Sequence, residues 1–318
     1  MPNAAIQGWR LSRLIRQNGF HIVQTFHQKS DTYGALIARL SGAKHIISSK
    51  RDTGALRRPW HRFLNRRLKS LFDAWIAVSE AVRVAAIRND RLSALRVTTI
   101  YNGVDTAQFT VPSVAQRSVA RAALGFAAGD FVVGIVARFR PEKSHEVFFK
   151  GLERALPAIP QLKALAVGNG PLLNGVRELI GRTKMGMHTV FTGDVADVVP
   201  YLWAMDVGVL TSRSNEGFSN GVLEQMAVGL PMIVTDVGGN AEAVSHTQNG
   251  IVIPPMQPEA LSAAVIELHS DSYRREVMGR ESRKRVEERF TVEKMCEEHM
   301  KLYISVLSRE RHRNARAR

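Results

Sequence analysis

"DVGVLTSRSNEGFSNGVLEQMAVGLPMIVTD", residues 206–236, holds two short apolar runs, 206–211 and 231–236, on either side of a helical pattern at 219–229. Neither run alternates apolar with polar residues, as strands buried on both faces of a parallel sheet do not. Strand, helix and parallel strand make one βαβ unit. The same alternation extends towards the N-terminus. "FVVGIVA" (131–137), "LKALAVG" (162–168) and "TVFTG" (189–193) read as further strands, with helical patterns at 144–157, 171–183, 196–204 and 239–246. This half of the chain is therefore expected to be a doubly wound α/β domain, with its ligand at the carboxyl ends of the strands.

The turns at those ends carry the polar chemistry. "RFRPEKSHE" follows the 131–137 strand and offers Arg138, Arg140 and Lys143. A guanidinium forks onto phosphate oxygens and an ammonium adds a mobile point charge, so the group suits a diphosphate. On residues alone, a surface charge run is the plainer reading. "GNGP" (168–171) puts Gly168 and Gly170 in a tight strand-to-helix turn. In "SNEGFSNG" either Ser219 or Asn220 can cap the next helix, whose first N–H groups favour an anion. Glu216 stands before that turn, where a carboxylate accepts from neutral hydroxyls. Glu224, about one turn into the helix, suits a vicinal diol such as ribose. Taken singly, the two glutamates read more readily as a turn residue and a helix-surface carboxylate. "TDVGGNAEAV" (235–244) brings Gly238, Gly239 and Asn240 to the next strand end. Phosphate, hydroxyl and backbone contacts gathered in one place point to a ligand site.

The first third is more fragmentary. "FHIVQTF" (20–26), "KHIISS" (44–49), "AWIAVS" (74–79) and "RVTTIYNG" (96–103) read as strands, and patterns near 5–17, 31–41, 60–72 and 80–89 as helices. "NGVDTAQFTVPS" (102–113) reads as the exit into a linker, and helical patterns at 258–270, 272–288 and 291–308 close the chain. The expected domains are 1–112 and 113–288, followed by a final helix with a basic tail over 289–318. At roughly 30 residues per βα unit, the first domain is about two units short of its partner.

With 318 residues the chain has room for two cores, and 45% hydrophobic with 23% charged residues describes a globular protein. No apolar stretch approaches the ~18–20 residues of a membrane span, and the N-terminus lacks the apolar core of a signal peptide. A cytoplasmic location follows as the expectation. The single cysteine, Cys296, excludes an intrachain disulfide and reads as a small buried residue on a helix. The net charge is +15, and residues 1–110 hold eighteen Lys and Arg against six Asp and Glu. Such a field attracts nucleic acid, anionic lipid or phosphorylated substrates alike. No nucleic-acid-reading motif accompanies it, so nucleic acid is set aside. In "RRPWHRFLNRRLKSLF" (57–72), Trp60, Phe63, Leu64, Leu68 and Leu71 recur at helical spacing among six basic residues. That pattern fits peripheral contact with an anionic membrane, and equally a packed helix with a solvated basic face. The tail "RERHRNARAR" (309–318) reads as a solvated basic end.

Several of these stretches together resemble the large retaining glycosyltransferase family 4 of GT-B fold, also called glycosyl transferases group 1. The resemblance is carried by "IYNGVD", "VARFRPEKSHE", "AVGNGPL", "FTGDVADVVPYLWAMDVGVLTS" and "SNEGFSNGVLEQMAVGLPMIVTDVGGNAEAV". It runs through nearly all of 18–308 and is most specific over 131–255, where two glutamates eight positions apart precede an apolar strand and Gly-Gly. It implies two Rossmann-like domains facing a cleft, a nucleotide-diphosphate-sugar donor in the C-terminal domain, and a final helix that crosses back to the first domain. It further implies that Arg138 and Lys143 bind the diphosphate, and that Glu216 contacts donor-sugar hydroxyls. Gly217, Phe218, Ser219 and Asn220 would line sugar and phosphates, with Gly168 and Gly170 nearby. Glu224 would hold the ribose, and Gly193 and Asp194 the base. The implied chemistry retains anomeric configuration and needs neither cofactor nor metal, because Arg and Lys neutralise the leaving diphosphate. The implied acceptor is an envelope glycan or a lipid-linked glycan.

Two features depart from the family. Its members begin with a strand and a glycine-rich loop that nothing here matches, so the N-terminal domain is expected to be incomplete. Many carry a histidine after an early strand, where "IISSKRDTG" (46–54) has Lys50, Arg51 and Asp52. A truncated, inactive nucleotide-sugar-binding protein is therefore the alternative reading. A GT-B epimerase or phosphorylase is a third, which the paired glutamates argue against.

Overall fold

The computed structural model describes residues 2–316, with side chains from Ala5 to Ser308. The basic tail from 309 lies outside the residues whose side chains are described. The chain divides into two compact units, Met1–Tyr101 with Glu293–Arg318, and Asn102–Val292. In the first, α1 (Pro2–Asn18), β1 (Ile22–Phe26), the short turn α2 (His27–Lys29), α3 (Ala35–Leu40), β2 (His45–Lys50), α4 (Pro59–Leu68), β3 (Ala74–Ala77), α5 (Glu80–Asp90) and β4 (Val97–Thr99) follow in order. The second unit runs α6 (Val114–Ala123), β5 (Phe131–Val136), α7 (His145–Ala155), β6 (Leu162–Val167), α8 (Leu173–Gly181), β7 (Thr189–Gly193), α9 (Val199–Ala204), β8 (Val207–Leu210), α10 (Asn220–Ala227), β9 (Met232–Thr235), α11 (Asn240–Ala243), β10 (Gly250–Ile253), α12 (Pro258–Ser270) and α13 (Ser272–Arg289). The last helix, α14 (Val292–Arg316), belongs to the first unit from Glu293 onwards.

The second unit is the doubly wound sheet that the apolar runs predict. Its six strands are parallel in the order β10-β9-β8-β5-β6-β7. The chain winds outward from β5 to β7, then returns to β8 on the other side of β5. That reversal opens a crevice at the carboxyl ends of β5 and β8, where ligands of such sheets bind. Residues two apart on each strand build one side of the core. Phe131, Val133 and Ile135 of β5 join Leu162, Ala164 and Ala166 of β6 and the α7 residues Phe148, Phe149 and Leu152. Two elements escape the sequence reading. Residues taken as linker lead into α6, which Ser113 and Gln116 open with a capping box. Strand β10, the run "GIVI", is the second.

The first unit has four described strands, all parallel, in the order β1-β2-β3-β4. One face meets α14, where Ile47, Ala74, Ile76 and Ile100 pack against Leu302 and Val306. The neighbouring residues of β2 point the other way, into a buried charge network. Lys50 Nζ lies 2.8 Å from Asp31 and 3.6 Å from Asp90 at the end of α5. Asp31 also accepts from Thr25 and Ser48, and Asp90 from Asn65 of α4. Buried charges persist when paired and hydrogen-bonded, and here they tie the helices to the sheet.

Two expectations need correction. Cys296 is exposed, because it sits on the outer side of α14 rather than on the stripe that meets the sheet. Of the two readings of 57–72, the packed helix would bury Trp60 and Phe63, and they are not buried; Leu64 and Leu68 are half-buried. Asn65 is the buried residue of α4, and Trp60 and Phe63 stand out into solvent at 57% and 59% exposure.

Candidate functional site

At the reversal point, the turn after β5 and the turn after β8 are fastened together. Thr211, fully buried, donates its hydroxyl hydrogen to the Lys143 and Ser144 carbonyls, and the Arg213 N–H donates to Glu142. Ser144 takes a left-handed conformation, φ +47°, that swings the chain from the Lys143 turn into α7. Lys143 is thereby aimed at Glu216. Its Nζ lies 2.5 Å from Glu216 Oε2, and the buried Ser212 hydroxyl donates to the same oxygen at 2.6 Å. Only Oε2 is engaged by these two donors, which leaves Oε1 as an acceptor for a ligand.

The stretch from Glu216 to Asn220 lies against the turn after β9. Gly239 N–H donates to the Gly217 carbonyl at 2.9 Å. Gly238 has φ +59°, and a Cβ there would fall 1.9 Å from the Glu216 carbonyl oxygen, so only glycine fits. Phe218 is buried on Phe290, with ring centroids 5.2 Å apart. Asn102 donates to the Phe218 carbonyl and to Asn220 Oδ1. Ser219 occupies the cap position of α10, but its hydroxyl makes no capping bond, so the first N–H groups of the helix keep their anion-binding capacity. Glu224 is the fifth residue of α10 and has no side-chain partner among the described residues. Burial raises its carboxyl above the usual value.

Arg138, directly after β5, is exposed and unpartnered among the described residues. Gly168 packs against its backbone; a Cβ there would sit 2.3 Å from the Ala137 carbonyl oxygen. Gly170 makes a similar approach to Phe139. The Gly168 N–H donates to the Gly193 carbonyl at 3.1 Å, and Asn169 donates to Asp194 at 2.9 Å. Every donor-site residue read from the sequence thus stands on a carboxyl-end turn of β5, β6, β7 or β8, or in the first turns of α10. A cavity of ≈530 Å³ beside Arg117, Asp206 and Tyr273 opens instead at the amino ends of β8 and β9, away from these groups.

His145, the first residue of α7, is buried and stacked on Phe139 at 3.9 Å, and neither ring nitrogen makes a well-formed hydrogen bond. Burial, reinforced by the Lys143 charge and only partly offset by the nearby Ala137 carbonyl, lowers its pKa to about 4. It is neutral beside the cations.

Sequence reasoning missed Ser212, Thr211, Asn102 and Asn169, which position the groups above. A hydroxyl or amide near a strand end is too common to stand out, and its partners appear only in three dimensions. In the first unit, Lys50 is committed to Asp31 and Asp90, whereas Arg51 makes no hydrogen bond or ion pair among the described residues, and burial lowers its pKa.

Residues 116–285 match the family described as glycosyl transferases group 1, and residues 2–108 match glycosyltransferase family 4. A lipopolysaccharide core biosynthesis mannosyltransferase of Rhizobium meliloti is 28% identical over 82% of this chain and 71% of its own length. A galactosyltransferase of Escherichia coli, named for UDP-Gal and a GlcNAc-diphosphoundecaprenol acceptor, is 24% identical over 93% of this chain and 78% of its own. Among solved structures, Anabaena HepE in complex with UDP and glucose superposes with a TM-score of 0.86 at 23% identity, covering 94% of this chain and 81% of that one. At that identity the likeness establishes the fold, which is GT-B. The group 1 match alone spans more than half of the chain, which therefore belongs to the group 1 glycosyl transferases.

Proposed function

We propose that this glycosyltransferase moves a sugar, with retention, from a nucleoside-diphosphate donor to a lipid-linked or envelope glycan acceptor, working against the inner face of the membrane. The Lys143–Glu216–Ser212 cluster, beside the unpartnered Arg138 and Glu224, carries the reading. Breaking the anomeric bond leaves positive charge on the sugar and negative charge on the diphosphate. Arg138 and Lys143 stand where the negative charge develops, and a preorganised cation there lowers the barrier. They do this without a metal ion. The first N–H groups of α10 add their dipole to the diphosphate. Glu216 Oε1 accepts from a sugar hydroxyl, and Glu224 from the ribose diol. The acceptor hydroxyl attacks on the leaving-group face, and a departing phosphate oxygen takes its proton. Glu216 is assigned as an acceptor of sugar hydroxyls and not as a covalent nucleophile.

The basic segment 57–72 supplies the membrane contact, with Trp60 and Phe63 exposed and Arg67 lying 5.1 Å over the Phe63 ring.

Titration with a panel of nucleotide sugars tests the site: Lys143→Ala and Glu224→Ala each weaken binding, and unchanged affinity in both overturns the assignment. Turnover should survive EDTA and give a product of unchanged anomeric configuration. Donor binding with no turnover on any lipid-linked acceptor would instead favour an inactive donor-binding protein.

A further inference from the structure

The outward surface of the first unit carries aromatic and basic groups that the donor site does not use. Building on the membrane contact inferred above, we propose that this unit lies on an anionic phospholipid bilayer through one face formed by α1, α3 and α4. Helix α1 is then a second membrane element beside the 57–72 segment.

The three helices share a layer. Strands β1 to β4 are parallel and in consecutive order, and right-handed crossovers place their connecting helices on one face of the sheet. The contacts agree: Lys50 of β2 meets Asp90 of α5, while Ile47 beside it meets α14 on the opposite face. Helix α1 packs on this layer. Its Ser12 accepts from the Ser41 hydroxyl after α3 at 2.8 Å, its Ile15 is buried, and Gly8 lies against the Tyr33 hydroxyl.

What α1 leaves outward matches what α4 leaves outward. Trp9 is 61% exposed with Arg13 lying 5.6 Å over its ring, and Phe63 has Arg67 in the same relation one helical turn on. Ile6 on α1, Leu36 and Leu40 on α3, and Leu56 before α4 are also exposed. An aromatic ring with a guanidinium above it suits the boundary between acyl chains and phosphate headgroups.

The charge is one-sided. Helices α1, α3 and α4 contain no Asp or Glu. Each of the five carboxylates between Ala5 and Tyr101 is already in an ion pair: Asp31 with Lys50, Asp52 with Arg57, Asp73 with Arg39, Glu80 with Arg83, and Asp90 with Lys50. The exposed arginines Arg10, Arg13, Arg58 and Arg67 make no ion pair among the described residues, and an anionic lipid surface complements them. A second copy of the chain does not, because a two-fold contact would set arginine against arginine.

Co-sedimentation with phosphatidylcholine vesicles, with and without phosphatidylglycerol, tests this. The full chain should pellet only with the phosphatidylglycerol vesicles. Arg13→Gln should weaken that binding about fivefold, the effect of about 1 kcal/mol for one basic group at such a surface. Trp9→Ala and the Trp60→Ala/Phe63→Ala pair should each weaken it as well. Nucleotide-sugar affinity should stay unchanged in all of them, which also reports an intact fold. If the α4 pair loses binding and both α1 variants bind like the parent chain, the three-helix face is overturned while the α4 membrane contact stands. If none of the variants changes binding, both are overturned. A concentration-dependent dimer in sedimentation equilibrium that Trp9→Ala or Trp60→Ala dissolves would assign the face to self-association and overturn it too.

Discussion

Lys143 Nζ lies 2.5 Å from Glu216 Oε2, and the Ser212 hydroxyl holds the same oxygen at 2.6 Å. Two donors on one oxygen fix the carboxylate rotamer and keep Oε1 turned away from both. Removing Ser212 should leave the Lys143 contact but loosen that orientation. A hydrogen bond to a charged group contributes about 1.5–3 kcal/mol, so Ser212→Ala should lower kcat/KM for a nucleotide sugar roughly 10- to 100-fold. Affinity for the free nucleoside diphosphate should hardly change, because the proposed contact of Glu216 is to the sugar. Equal losses for both ligands would show that Ser212 supports the whole turn rather than Glu216.

With Glu224 at the ribose as proposed, donor binding should depend on pH. Burial raises its carboxyl pKa, and its protonated form offers the ribose diol a poorer acceptor. The ionised form binds, so affinity should fall as pH drops through this raised pKa, at a pH above that of an exposed glutamate. Below it the loss approaches a factor of about ten per pH unit. Calorimetric titration with the donor from neutral pH down through the ordinary glutamate range would detect the decline. Glu224→Gln should bind more weakly at neutral pH and show a flatter profile. An equally steep profile in that variant would move the pH dependence to another group.

Lys50 stands where the family resemblance expects a residue beside the reacting sugar, yet its ammonium is buried between Asp31 and Asp90. Removing one partner of a buried ion pair leaves uncompensated charge and costs about 3–5 kcal/mol. Lys50→Ala should therefore lower the unfolding free energy by that order in a urea titration. Donor affinity at a temperature where the chain stays folded should not change. Arg51→Ala, which breaks no hydrogen bond or ion pair among the described residues, should lower the unfolding free energy far less.

The same two residues mark how far the sequence could be read. Both follow a clear apolar strand, so the end of β2 was legible, as were the other strands and the glycine turns of the second unit. Which of two adjacent cations is buried depends on Asp31 and Asp90, which are 19 and 40 positions away, and no local pattern reports such pairings. The aromatic residues of α4 show the same limit. A helical period places Trp60, Phe63, Leu64 and Leu68 within two turns, but the buried face is chosen by Asn65 meeting Asp90. The proposed donor site was more readable because its groups are tied to strand ends by glycine geometry, which leaves a mark in the sequence.

His145 should make the second unit acid-labile. Its folded pKa is lowered to about 4 from 6.5, first by burial and then by the Lys143 charge. Below pH 6.5 the unfolded chain takes up a proton that the folded site refuses until about pH 4. Falling pH across that window therefore favours unfolding. Its stabilising share is fully present above pH 6.5 and shrinks by up to about 1.4 kcal/mol per pH unit, roughly 3 kcal/mol in all. His145→Phe keeps a ring against Phe139 and removes the titration, so its urea midpoint should fall less than that of the parent chain between about pH 7 and pH 5. Parallel declines in the two proteins would show that His145 already carries its proton in the folded state.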